Sequence, residues 1–262
     1  MQSEPIHFSD GAAYEDFMGQ WSQLVGDSFL RWLDPSPGWR WLDVGCGNGA
    51  FTQMLVERCA PAAVEGIDPS KEQIAYARER PARGSARFDV GDAMALPYAD
   101  ASFDAAVMAL VIFFVPDPAK SVAEMARVVR PGGSVSAYSW DILGGAFPYA
   151  ALQEEMAKLT TPPPWPPSVE AARMETKRSL WASAGLTQIE TRQIDVERTF
   201  ADFDSFWQIA QTGPRLAASL AALPENDRQL LKERLRARLS PDAAGRITYG
   251  ARANAIRGLV ST

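Results

Sequence analysis

The first apolar pattern of the chain has the period of a helix. Between residues 13 and 33 the apolar positions fall three or four residues apart, at Phe17, Trp21, Leu24, Val25, Phe29, Leu30 and Leu33. This spacing places one side of a helix against a core. Prolines and a glycine then follow over residues 34–38 and interrupt helical backbone. The pattern predicts an amphipathic helix over residues 13–33.

Short apolar runs alternate with helical stretches between residues 39 and 140. Ser70 and Gln73 form a capping box for a helix that reaches Arg80, and Asp117 caps one that runs from a proline to Val129. A proline and two glycines at residues 130–133 are typical of a type II turn. The runs predict five strands, at residues 39–44, 63–67, 86–90, 103–109 and 134–140. This alternation indicates crossover connections and a mostly parallel sheet.

The alternation breaks after residue 140. Two helices are predicted in residues 141–185, around a proline-rich tract that is either a semi-rigid hinge or a connector. Two β runs, at 187–197 and 246–257, then bracket a helical block at 202–239. The predicted organisation has four parts: an N-terminal helical lid at 1–36, a core at 37–140, a helical insertion at 141–186, and a C-terminal part at 187–262 with two strands and a helical insertion at 202–240.

The charge of the chain argues against nucleic acid as a partner. The formal net charge is -6, and an acidic surface repels a phosphate backbone. One basic run, residues 232–238, lies beside an apolar stripe at Leu231, Leu235 and Leu239. Its period favours the solvated face of a helix over a nucleic-acid patch.

Metal-binding and membrane-spanning signals are missing from the sequence. Two cysteines, Cys46 and Cys59, and a single histidine, His7, make no disulfide or metal framework, so we expect no metal site. Both cysteines are small packing residues in this interpretation. No apolar run has the length of a membrane span, and the N-terminus has no basic region before an apolar one. We therefore expect a cytoplasmic protein without a membrane span.

A glycine-rich loop and a following acid point to a ribose-bearing ligand. Gly45, Gly47 and Gly49 lie between a predicted strand and a predicted helix. Glycines there permit a tight turn and let a ligand approach the backbone. Asp68 ends the next strand about 20 residues later, where such folds place an acid that binds ribose hydroxyls. The two signals together predict a small-molecule site at the carboxyl edge of the sheet.

The glycine spacing separates two kinds of cofactor. Dinucleotide sites space their glycines as G-x-G-x-x-G, which leaves room for a pyrophosphate, whereas this chain has G-x-G-x-G. Asp43 also precedes the loop, where a carboxylate repels a pyrophosphate and attracts an ammonium group, directly or through water. S-adenosylmethionine (SAM) has a ribose and an ammonium group and no phosphate. The site chemistry therefore favours SAM over a dinucleotide.

The sequence resembles class I SAM-dependent methyltransferases, especially the small-molecule branch that includes the enzymes of ubiquinone and menaquinone biosynthesis. Five stretches carry the resemblance in family order: WLDVGCGNG at 41–49, GIDPS at 66–70, GDAMALPY at 91–98, SFD at 102–104 and VVRPGG at 128–133. The resemblance implies an α/β fold with a Rossmann-like, seven-stranded, mostly parallel sheet. Helices would cover both faces, the last strand would be antiparallel, and helical insertions would form a cap.

The resemblance also implies a role for each matched position. The glycine loop, with Cys46, would line the methionine part of SAM, and Asp68 would hold the ribose. Pro69 or Ser70 would lie beside the adenine, while Asp92 and Ala93 would contact its amino group and ring. Leu110 would face the sulfonium. An N-terminal segment similar to the family's lid would add further contacts, from Tyr14, Met18 and Trp21; the structural alternative for Trp21 is packing on the sheet.

One departure from the family concerns the acceptor. Relatives often carry one or two histidines after the fourth strand, where this chain has the apolar residues 111–115. This indicates either an apolar or aromatic acceptor pocket or a repacked core. The candidate acceptor contacts are aromatic: Phe113, Phe114, Trp140, Trp165 and Trp207.

The sequence identifies no general base. Methyl transfer needs one only for an acceptor such as a hydroxyl or a protonated amine. The candidates are His7, Tyr14, Tyr138, Asp141 and Tyr149. We expect a methyltransferase that converts SAM to S-adenosylhomocysteine (SAH) and methylates a small apolar or aromatic acceptor. The alternatives are a SAM-binding protein without methyl transfer, a methyltransferase of RNA or protein, and an oxidoreductase with a nucleotide cofactor. The acceptor atom and the oligomeric state stay open, and a homodimer through an apolar cap is one option.

Overall fold

The computed structural model describes residues 15–80, 85–161 and 164–262, and in this part of the chain seven strands form one sheet. The strand order is β3-β2-β1-β4-β5-β7-β6. The strands are β1 (Arg40–Val44), β2 (Ala63–Asp68), β3 (Ala86–Val90), β4 (Phe103–Ala109), β5 (Val129–Trp140), β6 (Leu186–Phe200) and β7 (Ile247–Val260). The expected seven-stranded α/β fold is confirmed.

One strand runs against the others. The pairs β1–β2, β1–β4, β2–β3 and β4–β5 are parallel, whereas β7 is antiparallel to both of its neighbours, β5 and β6. The last strand is therefore the reversed one, as expected, and it lies inside the sheet with β6 at the edge. Dinucleotide-binding sheets of the 3-2-1-4-5-6 order have no such reversed strand.

Helices cover both faces of the sheet. They are α1 (Gln20–Leu33), α2 (Ala50–Cys59), α3 (Lys71–Ala77), α4 (Pro118–Val128), α5 (Ala150–Ala157), α6 (Met174–Ser183), α7 (Phe203–Ala210), α8 (Pro214–Ala222) and α9 (Glu225–Arg238). A π-helical turn at Glu15–Gly19 precedes α1, and short 3₁₀ turns lie at Ile112–Phe114 and Val169–Ala172. None of the helices described is long and apolar enough to cross a membrane.

Local sequence signals set several helix starts. The Ser70 hydroxyl accepts a hydrogen bond from the Gln73 backbone N–H, and the Asp117 carboxylate accepts one from the Lys120 N–H. Pro118 occupies the first turn of α4, where it forfeits no helical bond. Both predicted caps are confirmed, because capping depends on residues only three positions apart.

The sheet separates two apolar cores. Phe29 and Trp21 of α1 pack on one face together with Tyr138 of β5, whereas Met125 of α4 and Trp181 of α6 pack on the other. The Trp181 indole N–H donates to the Val135 carbonyl oxygen of β5 at 2.9 Å, so this large side chain is buried without losing a hydrogen bond. In the last insertion, Leu231, Leu235 and Leu239 are buried, which confirms the apolar stripe beside the basic run.

Three predicted boundaries were wrong. The helix predicted over 13–33 begins at Gln20 after the π-helical turn. Residues 13 and 14 of the predicted range lie outside the described part of the chain. The helix predicted to reach Arg80 ends at Ala77, because the Glu79 and Arg80 N–H groups beyond it donate to carbonyl oxygens three residues back, at Tyr76 and Ala77, in place of helical acceptors four residues back.

The third error concerns the start of β5. The strand begins at Val129, five residues before the predicted start, since Val129 pairs with Phe103 and Ser134 pairs with Ala105. The predicted turn at 130–133 is therefore an irregularity within a paired strand. Gly132 has φ 72°, which is the left-handed value that a type II turn needs at this position.

Candidate functional site

The three glycines after β1 all have left-handed backbone but differ in their surroundings. Gly45, Gly47 and Gly49 have φ values of 76°, 52° and 79°. A Cβ atom on Gly45 would lie 2.4 Å from Cγ1 of Val111, and one on Gly49 would lie 3.1 Å from the Phe88 ring. A Cβ atom on Gly47 would meet nothing nearer than the Gln73 side-chain oxygen at 4.0 Å. Gly47 is thus the glycine that faces open space, where a ligand can lie against the backbone.

Asp68 connects the loop to the end of β2. Its Oδ2 accepts a hydrogen bond from the Gly47 N–H at 3.0 Å, and its Oδ1 accepts one from the Ser70 N–H at 2.9 Å. Burial raises the pKa of Asp68, against the lowering effect of these two donors. A carboxylate has about four acceptor sites, so Asp68 keeps room for two ribose hydroxyls. Pro69, beside it, is exposed.

Asp43 is a buried carboxylate beneath the loop. It is 0% exposed; its Oδ2 accepts a hydrogen bond from the Thr52 hydroxyl at 2.6 Å, and its Oδ1 has no partner. Burial raises the pKa of Asp43 to about 7, although the Thr52 hydrogen bond lowers it; the charge of Asp68 adds to the rise. A buried carboxylate oxygen without a partner suits a cationic ligand, whose charge favours the ionised carboxylate, and opposes a phosphate. This acceptor therefore fits the ammonium end of SAM.

The Asp92 turn borders the same edge of the sheet. The Gly91 N–H donates to the Asp68 carbonyl oxygen at 3.1 Å, which fixes the start of the turn. The exposed Asp92 side chain accepts a hydrogen bond from the Met94 N–H at 2.8 Å. Its second carboxylate oxygen is a further hydrogen-bond acceptor at the same edge of the sheet as Asp68. Ala93, beside Asp92, is half-buried.

The turn after β4 forms the other side of the loop. Leu110 has φ 64°, is buried, and donates its N–H to the Tyr138 carbonyl oxygen at 2.8 Å. The Val111 side chain occupies the space beside Gly45. Phe113 is buried, and its carbonyl oxygen accepts a hydrogen bond from the Ser168 N–H at 3.1 Å. This bond brings the insertion after β5 against the turn that follows β4.

Several candidate residues lie in packed cores. Trp21 is fully buried and meets the rings of Tyr149 and Tyr249 edge-on, each at 6.3 Å between centroids. The Tyr149 hydroxyl donates to the Phe17 carbonyl oxygen at 3.1 Å, and Tyr138 is buried in the core on the α1 face. Trp21 therefore packs in the core, and its contact with a cofactor stays a prediction. His7 and Tyr14 lie outside the described residues.

The aromatic residues predicted to contact the methyl acceptor differ in how deeply they are buried. Trp140 is buried, and Trp207 is buried in α7, where it stacks on Phe203 with 6.5 Å between centroids. Phe114 is half-buried and its ring lies 4.3 Å from that of Phe113. Trp165 is 52% exposed, so it is the candidate with the most accessible ring.

Sequence reasoning missed three contributors to the site. Thr52, on α2, supplies the hydrogen bond that orients Asp43. Glu124 and Arg127, on α4, bond to the loop that follows the Asp92 turn. A glutamate three residues before an arginine is a detectable helical pair, but its loop partners lie about 30 residues away and leave no periodic signal. In the described residues, no group of three or more His, Cys, Asp and Glu side chains is arranged to hold a metal ion.

Comparison with known proteins gives consistent matches. Residues 42–137 match the family model described as "Methyltransferase domain". Methyltransferase GfsG of Streptomyces halstedii is 41% identical over 125 residues, which are 46% of this chain and 45% of that protein. Demethylmenaquinone methyltransferase of Renibacterium salmoninarum is 37% identical over 121 residues, or 45% and 48% of the two chains. The matched stretch thus spans less than half of each relative.

A solved structure extends the likeness of the fold beyond this stretch. Phosphoethanolamine N-methyltransferase 2 of Haemonchus contortus, in complex with SAM, superimposes with a TM-score of 0.59 at 20% identity. The superposition covers 95% of this chain and 56% of that one. The fold, with its reversed seventh strand, agrees with the family match at residues 42–137. The chain accordingly contains, at residues 42–137, a stretch that matches the methyltransferase domain, and its described residues share the fold of a solved methyltransferase.

Proposed function

We propose that this protein binds SAM across the carboxyl ends of β1, β2 and β3 and transfers its methyl group to a small apolar or aromatic acceptor. The observation that carries the proposal is the position of Gly47. It is the loop glycine beside open space, and its N–H is bonded to Asp68, the acceptor for ribose hydroxyls. The unpartnered oxygen of Asp43 adds the charge that an ammonium group requires.

The residues of the site would orient and desolvate the reactants. SAM supplies a methyl group on a sulfonium, which is a good leaving group, so alignment and exclusion of water can provide much of the rate. Asp68 and Asp92 would hold the nucleoside at one end, and the turn of Leu110 would border the sulfonium at the other. The buried Phe113 and the half-buried Phe114 give the acceptor side an apolar wall.

The acceptor should be a group that loses its proton without a base from the protein. Tyr149 uses its hydroxyl in a bond to the Phe17 carbonyl oxygen, and burial raises its pKa, so at neutral pH the hydroxyl stays protonated and is not available as a base. Tyr138 is likewise enclosed in the core. An acceptor that ionises by itself, such as a phenol or a hydroquinone, needs no protein base. The relative named demethylmenaquinone methyltransferase favours this class of acceptor.

Isothermal titration with SAM, SAH and NAD tests the cofactor. We expect micromolar binding of the two sulfur ligands and none of NAD. Asp68→Ala should lose at least about tenfold in affinity, because each ribose hydrogen bond to a charged group contributes roughly 1.5–3 kcal/mol. Asp89→Ala, an exposed carboxylate on the neighbouring strand β3, is the matched control and should bind as the wild type does. Binding of NAD alone would show that the glycine loop is a dinucleotide site.

Methyl transfer is tested separately with labelled SAM. A panel of phenols, naphthohydroquinones, amines, RNA and protein should show label in a phenol or hydroquinone. Transfer to RNA or protein would replace the small-molecule proposal. Tight SAM binding without transfer to any of these acceptors would favour a SAM-binding protein that performs no methylation.

A further inference from the structure

One arginine side chain holds the loop that follows the Asp92 turn. Arg127 lies in the last turn of α4, and its Nη1 donates to the Tyr98 carbonyl oxygen and to Asp100 Oδ1, both at 2.8 Å. Its Nη2 donates to the Leu96 carbonyl oxygen at 3.0 Å and to Glu124 Oε2 at 2.8 Å, while its Nε donates to Glu124 Oε1 at 2.7 Å. All five guanidinium N–H groups therefore have acceptors.

Glu124 and the backbone of Arg127 complete this attachment. Glu124 Oε2 also accepts a hydrogen bond from the Leu96 N–H at 2.9 Å, and the Arg127 carbonyl oxygen accepts one from the Ala101 N–H at 3.1 Å. Leu96 is thus bonded through both its N–H and its carbonyl oxygen, with its side chain buried. Two residues one helical turn apart fix the backbone of residues 96–101.

The Asp92 turn spans the gap between two anchors. Its own bonds are short-range: Met94 N–H to the Asp92 carboxylate and Ala95 N–H to the Asp92 carbonyl oxygen. One end is fixed where the Gly91 N–H bonds to the Asp68 carbonyl oxygen. The other end is fixed at Leu96, by the Glu124–Arg127 pair.

We propose that Glu124 and Arg127 are positioning residues for the cofactor: they hold the Asp92 turn in the position at which its carboxylate meets the adenine amino group. This inference rests on the proposed function, since it requires that SAM binds here with its adenine beside Asp92. The pair acts from beneath the loop and touches no part of the ligand.

The energetics separate this role from simple stabilisation. The Arg127 side chain is 32% exposed and Asp100 is 78% exposed. Ion pairs of this exposure contribute at most about 1 kcal/mol to folding. Lysine keeps the charge but has three N–H donors on one nitrogen, so it cannot make the five bonds of the planar guanidinium fork. Arg127→Lys should therefore displace the Asp92 turn while it lowers the free energy of unfolding only slightly.

The test compares SAH with its inosine analogue, in which a carbonyl oxygen replaces the adenine amino group. By titration calorimetry the wild type should prefer SAH, because the adenine amino group donates to Asp92, whereas the carbonyl oxygen in its place can only accept and repels the carboxylate. In Arg127→Lys we expect about tenfold weaker SAH binding and less than about threefold weaker binding of the analogue. The preference for SAH should therefore shrink.

Two further variants keep the test decisive. Arg130→Lys alters a comparable ion pair, with Asp104 at 2.6 Å, that does not contact the loop, and it should keep the wild-type preference. Glu124→Gln retains one acceptor for the Leu96 N–H but loses the ion pair, so it should give an intermediate preference. It replaces Arg127→Lys if that variant does not fold.

Each other outcome overturns the inference. If Arg127→Lys and Glu124→Gln weaken the binding of SAH and of the analogue by the same factor, the ratio of the two affinities is unchanged. That outcome would show that the pair only stabilises the fold. Equal binding of SAH and the analogue by the wild type would show that Asp92 does not contact the amino group. Failure of the wild type to bind SAH at all would instead contradict the proposed function.

Discussion

At the scale of single residues, alanine substitutions in the glycine loop can distinguish an effect on cofactor binding from an effect on folding. Gly47→Ala places a Cβ atom in open space, 4.0 Å from its nearest neighbour. The cost to folding is the left-handed backbone, about 1–2 kcal/mol for a residue with a side chain. The new methyl group would occupy space that a cofactor needs. We therefore expect a modest fall in Tm and loss of most SAH affinity in titration calorimetry.

Gly45→Ala is the matched comparison. Its Cβ atom would lie 2.4 Å from Cγ1 and 2.7 Å from Cγ2 of Val111, so the turn after β4 must shift. We expect this variant to lose more stability than Gly47→Ala in denaturant unfolding. Wild-type SAH affinity in Gly47→Ala would contradict the placement of the ligand against this loop.

The sequence predicted the residues whose roles depend on near neighbours. Gly47 and Asp68 are found from their places after two strands, since the carboxyl ends of parallel strands meet at one edge. The partner of Asp43 could not be found in this way, because Thr52 is one of several polar residues on the following helix. The roles of Trp21 and Tyr149 also stayed open: an aromatic residue serves a lid or a core equally well until its neighbours are known.

At the scale of elements, a buried lysine connects α6 to the sheet. The Lys177 amino group is 0% exposed and lies 2.5 Å from the Ser139 hydroxyl of β5. It also donates to the carbonyl oxygens of Ala171 and Ala172, at 3.0 and 2.8 Å. These carbonyls end the 3₁₀ turn that packs beside the turn after β4. Lys177 therefore links three elements of the fold: α6, β5 and the 3₁₀ turn at Val169–Ala172.

The charge state of Lys177 predicts a pH dependence of stability. Burial lowers its pKa from 10.5 to about 7, although the charge of Asp141 raises it. Between these two values the unfolded chain holds a proton that the folded chain has lost. Stability should therefore rise with pH from about 7 to 10.5 and fall as the pH drops through this window, by up to about 1.4 kcal/mol per pH unit.

Lys177→Met tests this dependence through denaturant unfolding at several pH values. The methionine keeps the volume of the side chain and has no proton to lose, so the stability of the variant should rise less between pH 7 and 9.5 than that of the wild type. Lys158→Met removes a lysine from the surface of α5, where it pairs with Glu155, and serves as the control. Parallel profiles for the wild type and Lys177→Met would contradict a neutral buried amine.

The elements themselves were predicted well where the signal is local. The caps at Ser70 and Asp117 and the apolar stripe of α9 each depend on residues within a few positions of one another. At the early end of α3 the backbone N–H groups change to acceptors three residues back, which an apolar period does not reveal. The early start of β5 follows from pairing with Phe103, a contact distant in sequence that periodicity does not record.

At the scale of the whole molecule, the sheet order places the site. β1 lies between β2 and β4. The chain leaves β1 through α2 toward β2, whereas it leaves β4 through α4 toward β5, and these helices pack on opposite faces of the sheet, so a crevice opens at the carboxyl end of β1. The alternation of strands and helices predicted a parallel sheet. That the last strand is antiparallel followed only from family resemblance, and its place between β5 and β6 was not predicted, because antiparallel pairing across the helical insertion α7–α9 leaves no periodic trace.

This topology predicts where a cofactor would protect the backbone from hydrogen exchange. SAH should slow exchange in peptides that contain residues 45–49, 68–70 and 91–96, because these loops leave β1, β2 and β3 at one edge of the sheet. Peptides from α8 and α9 should exchange at the same rate with and without ligand, since these helices belong to the insertion between β6 and β7. Mass spectrometry of the exchanged peptides measures both sets in one experiment, with Asp68→Ala as a control that should lose the protection at equal SAH concentration. Protection confined to β5–β7 would move the cofactor to the other half of the sheet and leave the glycine loop as a structural turn.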